Sequence, residues 1–196
     1  MLSLFPTTIY YASLGKKSLD RELVKEVYQI KDYDIEGQKW SKDNYKGGYT
    51  SYASLAELFQ MSSTFLELKK QIDKHVIKYT KSLDFVDPRL QMTNLWINIV
   101  PRYTYHSFHL HPGSVISGTY YLKVPPKSGD IKFEDPRVQC FMGSVPRKEN
   151  AKLQNRRYHS IEPKAGKILL FESWLKHEVT QNWAKQDRIS LSFNYS

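Results

Sequence analysis

The chain has 196 residues, 40% of them hydrophobic and 14% aromatic, enough to bury a sizeable core and to exclude a disordered chain. Its 29 basic residues against 20 acidic ones leave a net charge of +9, which suits an acidic ligand, from nucleic acid to a small dianion, although the scattered lysines read first as a solvated surface. A single cysteine, Cys140, excludes an internal disulfide framework and a cysteine-based zinc site, and favours a reducing, cytoplasmic compartment.

No apolar run is long enough to span a bilayer, and the opening residues lack the basic and apolar regions of a signal peptide. Residues 1–90 read as mostly helical. Leu19, Leu23, Val24 and Val27 fall on one face of a helix with Ser18 as its N-cap. The double glycine of Asn44-Tyr-Lys-Gly-Gly-Tyr-Thr-Ser then predicts a loop, and Ser54-Leu-Ala-Glu-Leu-Phe a short helix. From Ser63 to Lys81, Phe65, Leu66, Leu68, Ile72, Val76, Ile77 and Tyr79 recur at helical spacing with lysines outside.

Past Leu90 the texture changes. Leu95–Val100, Ile116–Val124, Gly129–Glu134, Lys167–Phe171 and Ile189–Tyr195 are rich in β-branched and aromatic residues and predict strands, with a turn at Pro163–Gly166. Short strands at fairly even spacing favour a sandwich or jelly roll over a parallel sheet. The expected fold is therefore mainly β, a jelly roll packed with N-terminal helices. It is expected as a single domain over 1–196, with a mostly helical portion at 1–90 and the jelly-roll core at 91–196.

Three of the six histidines fall within His106-Ser-Phe-His109-Leu-His111. On an extended segment His109 and His111 share a face and can reach one ion. Imidazole suits zinc, copper, iron or nickel. His177, beyond the predicted strand Lys167–Phe171, is the best candidate for a third ligand. By itself the H-x-H pattern is weak, since histidines near Tyr and Ser commonly just hydrogen-bond at a sheet edge. Arg188 tips the balance. It shares a strand face with Ser190, and inside a barrel it needs a partner. A carboxylate ligand fits its forked guanidinium, with a structural bridge to an Asp or Glu as the alternative. His106, three residues before His109, is expected to face away from the ion, either supporting the ligands or at the surface, and His159 to lie in an exposed loop, with the entrance to the site as the alternative. Trp96, Trp174 and Trp183 read as core or rim. Arg137, Arg147, Arg156 and Arg157 read as a solvated face, with an anionic-substrate rim as the alternative.

The segments HLHPGSVISGTYYLKVP, SGDIKFEDPR, PKAGKILLFESWLKHEV and RISLSFNY, with LFPTTIYYASL and GGYTSYASL in the first half, resemble the uncharacterised 2-oxoglutarate-Fe(II) oxygenases of bacteria and phages. The resemblance covers nearly the whole chain. It implies a double-stranded β-helix with Fe(II) held by His109, His111 and His177. It implies 2-oxoglutarate as cosubstrate, its far carboxylate on Arg188 with help from Ser190, and Asn98 and Tyr121 completing the pocket. Asn98 stands where a cosubstrate-holding asparagine stands in the DNA-alkyl-repair branch, and Tyr121 is expected inside the barrel with Tyr120 outside, although sequence leaves the two faces open to exchange. O2 would be consumed, succinate and CO2 released, and an unidentified substrate hydroxylated.

One position departs from the wider superfamily, which carries a carboxylate two residues after its first histidine. Here His111 stands there, making the metal centre one unit more positive. Asp135 and Glu178 could restore the charge, but Asp135 sits in a Glu-Asp-Pro-Arg turn and Glu178 would point away from His177 on an extended segment. Two other functions fit parts of the pattern. One is a cupin-like three-histidine protein indifferent to 2-oxoglutarate; the other is a non-catalytic jelly-roll module, for nucleic acid given the charge. The helical half would shape a substrate mouth or a homodimer contact.

Overall fold

The computed structural model describes every residue except 1, 3, 15, 16 and 46. Among the described residues three helices, α1 (Lys17–Tyr33), α2 (Ile35–Asn44) and α3 (Ser63–Ser82), accompany ten strands. The strands are β1 (Tyr10–Ser13), β2 (Tyr49–Thr50), β3 (Met92–Val100), β4 (His106–His109), β5 (Ile116–Lys123), β6 (Ile131–Glu134), β7 (Tyr158–Ile161), β8 (Lys167–Glu172), β9 (His177–Val179) and β10 (Arg188–Tyr195). They form a major sheet in the order β1-β8-β5-β10-β3-β2 and a minor sheet in the order β4-β9-β6-β7, and every pairing between these strands is antiparallel.

Alternation along the strands explains the layers. On β10, Ile189, Leu191, Phe193 and Tyr195 face the helices, where they join Leu23, Val27 and Ile30 of α1 and Phe65, Leu68, Ile72, Val76 and Tyr79 of α3 in one core. The other face looks between the sheets, where Tyr121, Leu169 and Phe171 meet Ile131 and Phe133 of the minor sheet. The same alternation places Arg188, Ser190, Ser192 and Asn194 on the inner face of β10, and three of these four are buried. Buried polar groups cost free energy unless they are partnered, so a polar stripe inside the roll is a site and not a packing core.

Helix starts are capped locally. Ser62 Oγ accepts from Phe65 N at the start of α3, and Asp34 accepts from Gly37 N at the start of α2. Asp34 also accepts from the Tyr49 and Ser54 hydroxyls, both at 2.7 Å, which fastens the α2 start to the loop beyond it.

Several local expectations change. The first helix begins at Lys17, so Ser18 lies inside its first turn and not at the cap. The helix expected at Ser54–Phe59 is a set of turns ending in a 3-10 turn at Leu58–Gln60. There the backbone is drawn to β3 instead: Leu95 N donates to Ala56 O at 2.7 Å, and Glu57 bridges Leu95. The predicted loop at 44–51 contains β2, and its Lys46 lies outside the described residues. Neither β1 nor α2 was expected. α2 buries only Gly37 and Ser41, too small an apolar signal to read.

The inter-sheet corner at Gly129 leaves no room for a side chain. A Cβ there would sit 1.8 Å from Thr180 O, in a segment held by Thr180 N to Asp130 O at 2.9 Å and Asp130 N to Thr180 Oγ1 at 2.8 Å. Gly129→Ala should destabilise the fold by about 2 kcal/mol or more, as overpacking against backbone does. Urea unfolding of the two proteins measures this, and equal midpoints would mean that the corner yields freely.

Candidate metal centre

The three histidines converge from two strand ends. β4 ends at His109 and β9 begins at His177, and the two are cross-strand partners. His111 follows β4 in a turn whose Gly113 takes φ +83°, and its backbone N is bonded to Ser173 O at 3.3 Å. The ring centroids of His109 and His177 lie 4.2 Å apart, and His111 lies 5.2 Å from each. One potential ligand atom from each of the three lies within 4.8 Å of the others. No other set of three or more His, Cys, Asp or Glu side chains comes together this way among the described residues.

Their chemistry suits a cation. His109 Nδ1 lies 2.8 Å from Ser107 O and His177 Nδ1 lies 2.9 Å from Leu175 O. A carbonyl only accepts, so both Nδ1 atoms carry the proton and both Nε2 lone pairs are free. Burial and the neighbouring imidazoles push His111 down to about 4 and His177 down to about 2, and burial lowers His109 too. The cluster is neutral at pH 7, as metal ligation requires. The folded metal-free protein therefore binds fewer protons than the unfolded chain below the ordinary histidine value of about 6.5. Its stability should be full above that pH and fall as acid carries it toward 4, which thermal melts in chelator across pH 4–8 will follow; a flat profile would contradict the burial of these rings.

Among the described residues no carboxylate joins the triad. Asp135 accepts from Arg137 at 2.8 Å and Glu178 from Lys132 at 2.9 Å, so each is already partnered by a cation. His106 is a correction. It faces the same side as His109, its ring stacked at 4.1 Å. The pairings His106–Val179 and His109–His177 put one extra residue on β4, and this bulge cancels the alternation. His159 is another: it lies on β7, half-buried, opposite Phe133, which also pairs with His177. Cross-strand partners share a face, so His109, His177, Phe133 and His159 form one row across the inside of the minor sheet.

Sequence reasoning also missed the support around His111. Trp96 packs against its ring at 5.9 Å and Tyr52 packs on Trp96 at 5.0 Å. Asn194, beside His111, accepts from Ser117 Oγ at 2.8 Å, and Ser117 Oγ is bonded to Ser173 Oγ at 2.7 Å. The only sequence signal was the polar alternation of Arg-Ile-Ser-Leu-Ser-Phe-Asn, which extends the Arg188 stripe to the metal end.

Arg188 lies at the other end of that stripe. It is 2% exposed, its Nε has no hydrogen-bond partner, and it forms no ion pair among the described residues. Its guanidinium stands 5.2 Å from the ring of Tyr121, whose buried hydroxyl has Arg188 as its polar neighbour but closes no well-formed hydrogen bond among the described residues. Burial pushes Tyr121 up to about 12, partly offset by the Arg188 charge. Asp130 feels Arg188, yet burial outweighs it and holds the carboxyl above its ordinary value, the opposite of a paired acid. Ser190 is buried beside Tyr121 and Asn98 in the register, and Asn98 Nδ2 donates to Ser192 Oγ at 3.0 Å. Tyr120 points the other way, its hydroxyl on Asp20 at the helices.

A family model described as "Putative 2OG-Fe(II) oxygenase" matches residues 94–194, from β3 to β10. The chain belongs to this oxygenase family. Solved structures agree on the architecture. A Pseudomonas putida prolyl-4-hydroxylase superposes with a TM-score of 0.66 at 15% identity, covering 96% of this chain and 92% of that one. HygX from Streptomyces hygroscopicus, solved with nickel and 2-oxoglutarate, gives 0.64 at 14% identity over 97% and 83%. SnoN, an α-ketoglutarate-dependent epimerase of nogalamycin biosynthesis, gives 0.69 at 13% over 96% and 76%. At these identities the likeness establishes the double-stranded β-helix fold. No curated protein matches the chain. Among the described residues no helix is long and apolar enough to cross a membrane.

Proposed function

We propose that this family member is an Fe(II)- and 2-oxoglutarate-dependent dioxygenase, with iron on His109, His111 and His177 and the far carboxylate of the cosubstrate on Arg188. The observation that carries this reading is the buried Arg188, without a counter-ion among the described residues, on the same strand face that ends beside His111. An unpaired buried guanidinium is costly, and a dicarboxylate that reaches from the histidines to Arg188 removes that cost by bidentate pairing. The buried Tyr121 hydroxyl beside Arg188 and Ser190 stand ready for the same carboxylate, while Asn98 holds Ser192 along the path.

Bound iron, 2-oxoglutarate and O2 together supply an oxidant for a substrate C–H bond, with succinate and CO2 as coproducts. The chain orients and shields that chemistry. The Ser107 and Leu175 carbonyls lock the tautomers of His109 and His177, which leaves each Nε2 able to hold iron when it is bound. The Asn194 side chain, beside His111, is placed to accept from its other ring nitrogen. Phe171, 4.6 Å from His177, and Phe133 exclude water from the inner side of the site. Because His111 replaces a carboxylate, all three protein ligands are neutral. The cosubstrate then supplies the negative charge, and its binding should depend strongly on the metal. A cytoplasmic setting, supported by the lone Cys140, belongs to the same reading.

Asn194→Leu should weaken metal binding about 10- to 100-fold, the usual effect of removing an outer hydrogen-bond partner of a ligand histidine. Equilibrium dialysis with Mn(II) reads this directly; unaltered affinity would remove Asn194 from the account.

The reading itself is tested by thermal shift. 2-Oxoglutarate should raise Tm only when Mn(II) is present, by the equivalent of about 2.7 kcal/mol at a hundredfold excess over Kd. The three-histidine ligand set also favours a second reading, a cupin-like metal protein that ignores 2-oxoglutarate. A shift with metal and none from 2-oxoglutarate would select it.

A further inference from the structure

Nearly half of the net charge falls in one surface segment. The segment 135–157, between β6 and β7, carries six basic residues against two acidic ones, a net +4 of the chain's +9. Arg147, Lys148 and Lys152 are exposed and form no ion pair among the described residues. Met142 and Val145 beside them are 82% and 81% exposed. From Phe141 to Arg156 the hydrogen bonds only close local turns, such as Ala151 N to Lys148 O and Arg156 Nε to Ala151 O. The segment holds two short 3-10 turns, Val138–Phe141 and Leu153–Asn155, and no strand, and long surface loops on a rigid scaffold are where binding residues concentrate.

The loop is rooted at the metal end. Its stem is closed by Asp135 N to Arg157 O at 2.7 Å, and it starts one residue past Glu134, itself next to Phe133 in the row with His177 and His109. Exposed aromatic rings surround the same end. Trp174, three residues before His177, is 49% exposed, and Tyr52, which reaches His111 through Trp96, is 50% exposed. At the stem Tyr158 is flanked by cations, with Lys132 at 4.5 Å and Arg157 at 5.0 Å from its ring.

We propose that the oxygenase site takes a segment of single-stranded nucleic acid, whose phosphates lie along the 135–157 loop and whose bases stack on Trp174 and Tyr52. This rests on the proposed function, since it names the substrate class of that site. Basic side chains that follow a backbone, interleaved with exposed rings, are what single strands require. An acidic peptide would use the cations and leave the rings idle.

The test needs no turnover, so it stands apart from the iron and cosubstrate measurements. The full chain loaded with Mn(II) and 2-oxoglutarate is titrated into a fluorescent 12-nucleotide single strand, DNA or RNA, and anisotropy is read from 50 to 200 mM salt. The expected result is binding that weakens with salt by about 0.7 log units per phosphate contact per log unit of salt. Replacing Arg147, Lys148 and Lys152 together by glutamine should weaken binding at least tenfold at 100 mM salt and reduce the slope by about 2. Trp174→Ala should weaken it several-fold with the slope unchanged. Replacing Lys70, Lys74 and Lys78, an equal charge on the exposed face of α3, should do neither. The proposal is overturned by any of three results: no binding at 50 mM salt, loss of binding with the α3 lysines in place of the loop, or equal affinity for polyglutamate with no effect of Trp174→Ala. The last would assign the loop to an acidic peptide.

Discussion

With His177 replaced by alanine, the protein is expected to lose iron binding by at least about a hundredfold and all turnover with it. Removing a mere outer partner of a ligand costs 10- to 100-fold, and His177 is the most buried of the three imidazoles, 4% exposed and in ring contact with both His109 and His111. Truncation also leaves a gap beside Phe171 and Phe133, so loss of fold must be separated from loss of ligation. His177→Gln keeps more of the volume and should keep the fold, while the metal is still lost. His111→Asp tests the same centre in the other direction. It restores the ligand type of the wider superfamily, and the added negative charge should tighten Mn(II). Iron bound normally by both His177 variants would move the centre elsewhere.

Arg188→Met should separate stability from function. Methionine has nearly the length of the arginine stem, carries no charge and leaves no unsatisfied nitrogen. Replacing a buried, poorly compensated charge by a hydrophobe of similar volume is often stabilising by about 1–4 kcal/mol. The variant free of cosubstrate should therefore melt higher than the parent. Its affinity for 2-oxoglutarate should fall about 30-fold to a few thousandfold, the equivalent of the 2–5 kcal/mol lost when one partner of a buried charge pair is removed. Calorimetric titration and melting curves on one preparation give both numbers. A lower Tm with unchanged 2-oxoglutarate affinity would make Arg188 a structural residue.

The sequence carried the β core well because period-two alternation with β-branched residues is a strong signal. All five predicted strands exist, each close to its expected bounds, and α3 matches its apolar spacing. The convergence of His109, His111 and His177 was legible from type and order, and the burial of Arg188 from its place in an alternating strand. What escaped was set by long-range pairing. β1 is a four-residue edge strand whose identity depends on β8. The 54–59 segment has a helical composition, but β3 claims its backbone. His106 was assigned to the wrong face because a single bulge reverses every alternation argument before it. Asn194 could not be tied to His111, since nothing local joins a residue near the C-terminal end of β10 to a turn after β4.

The most direct measurement is an anaerobic titration of the metal-free protein with Fe(II) and then 2-oxoglutarate, followed in the visible range. The expected result is a charge-transfer band that needs both additions, is lost in His177→Gln, and in Arg188→Met requires far more 2-oxoglutarate. Iron that binds without any band on saturation with 2-oxoglutarate would contradict cosubstrate chelation, and with it the assignment of Arg188.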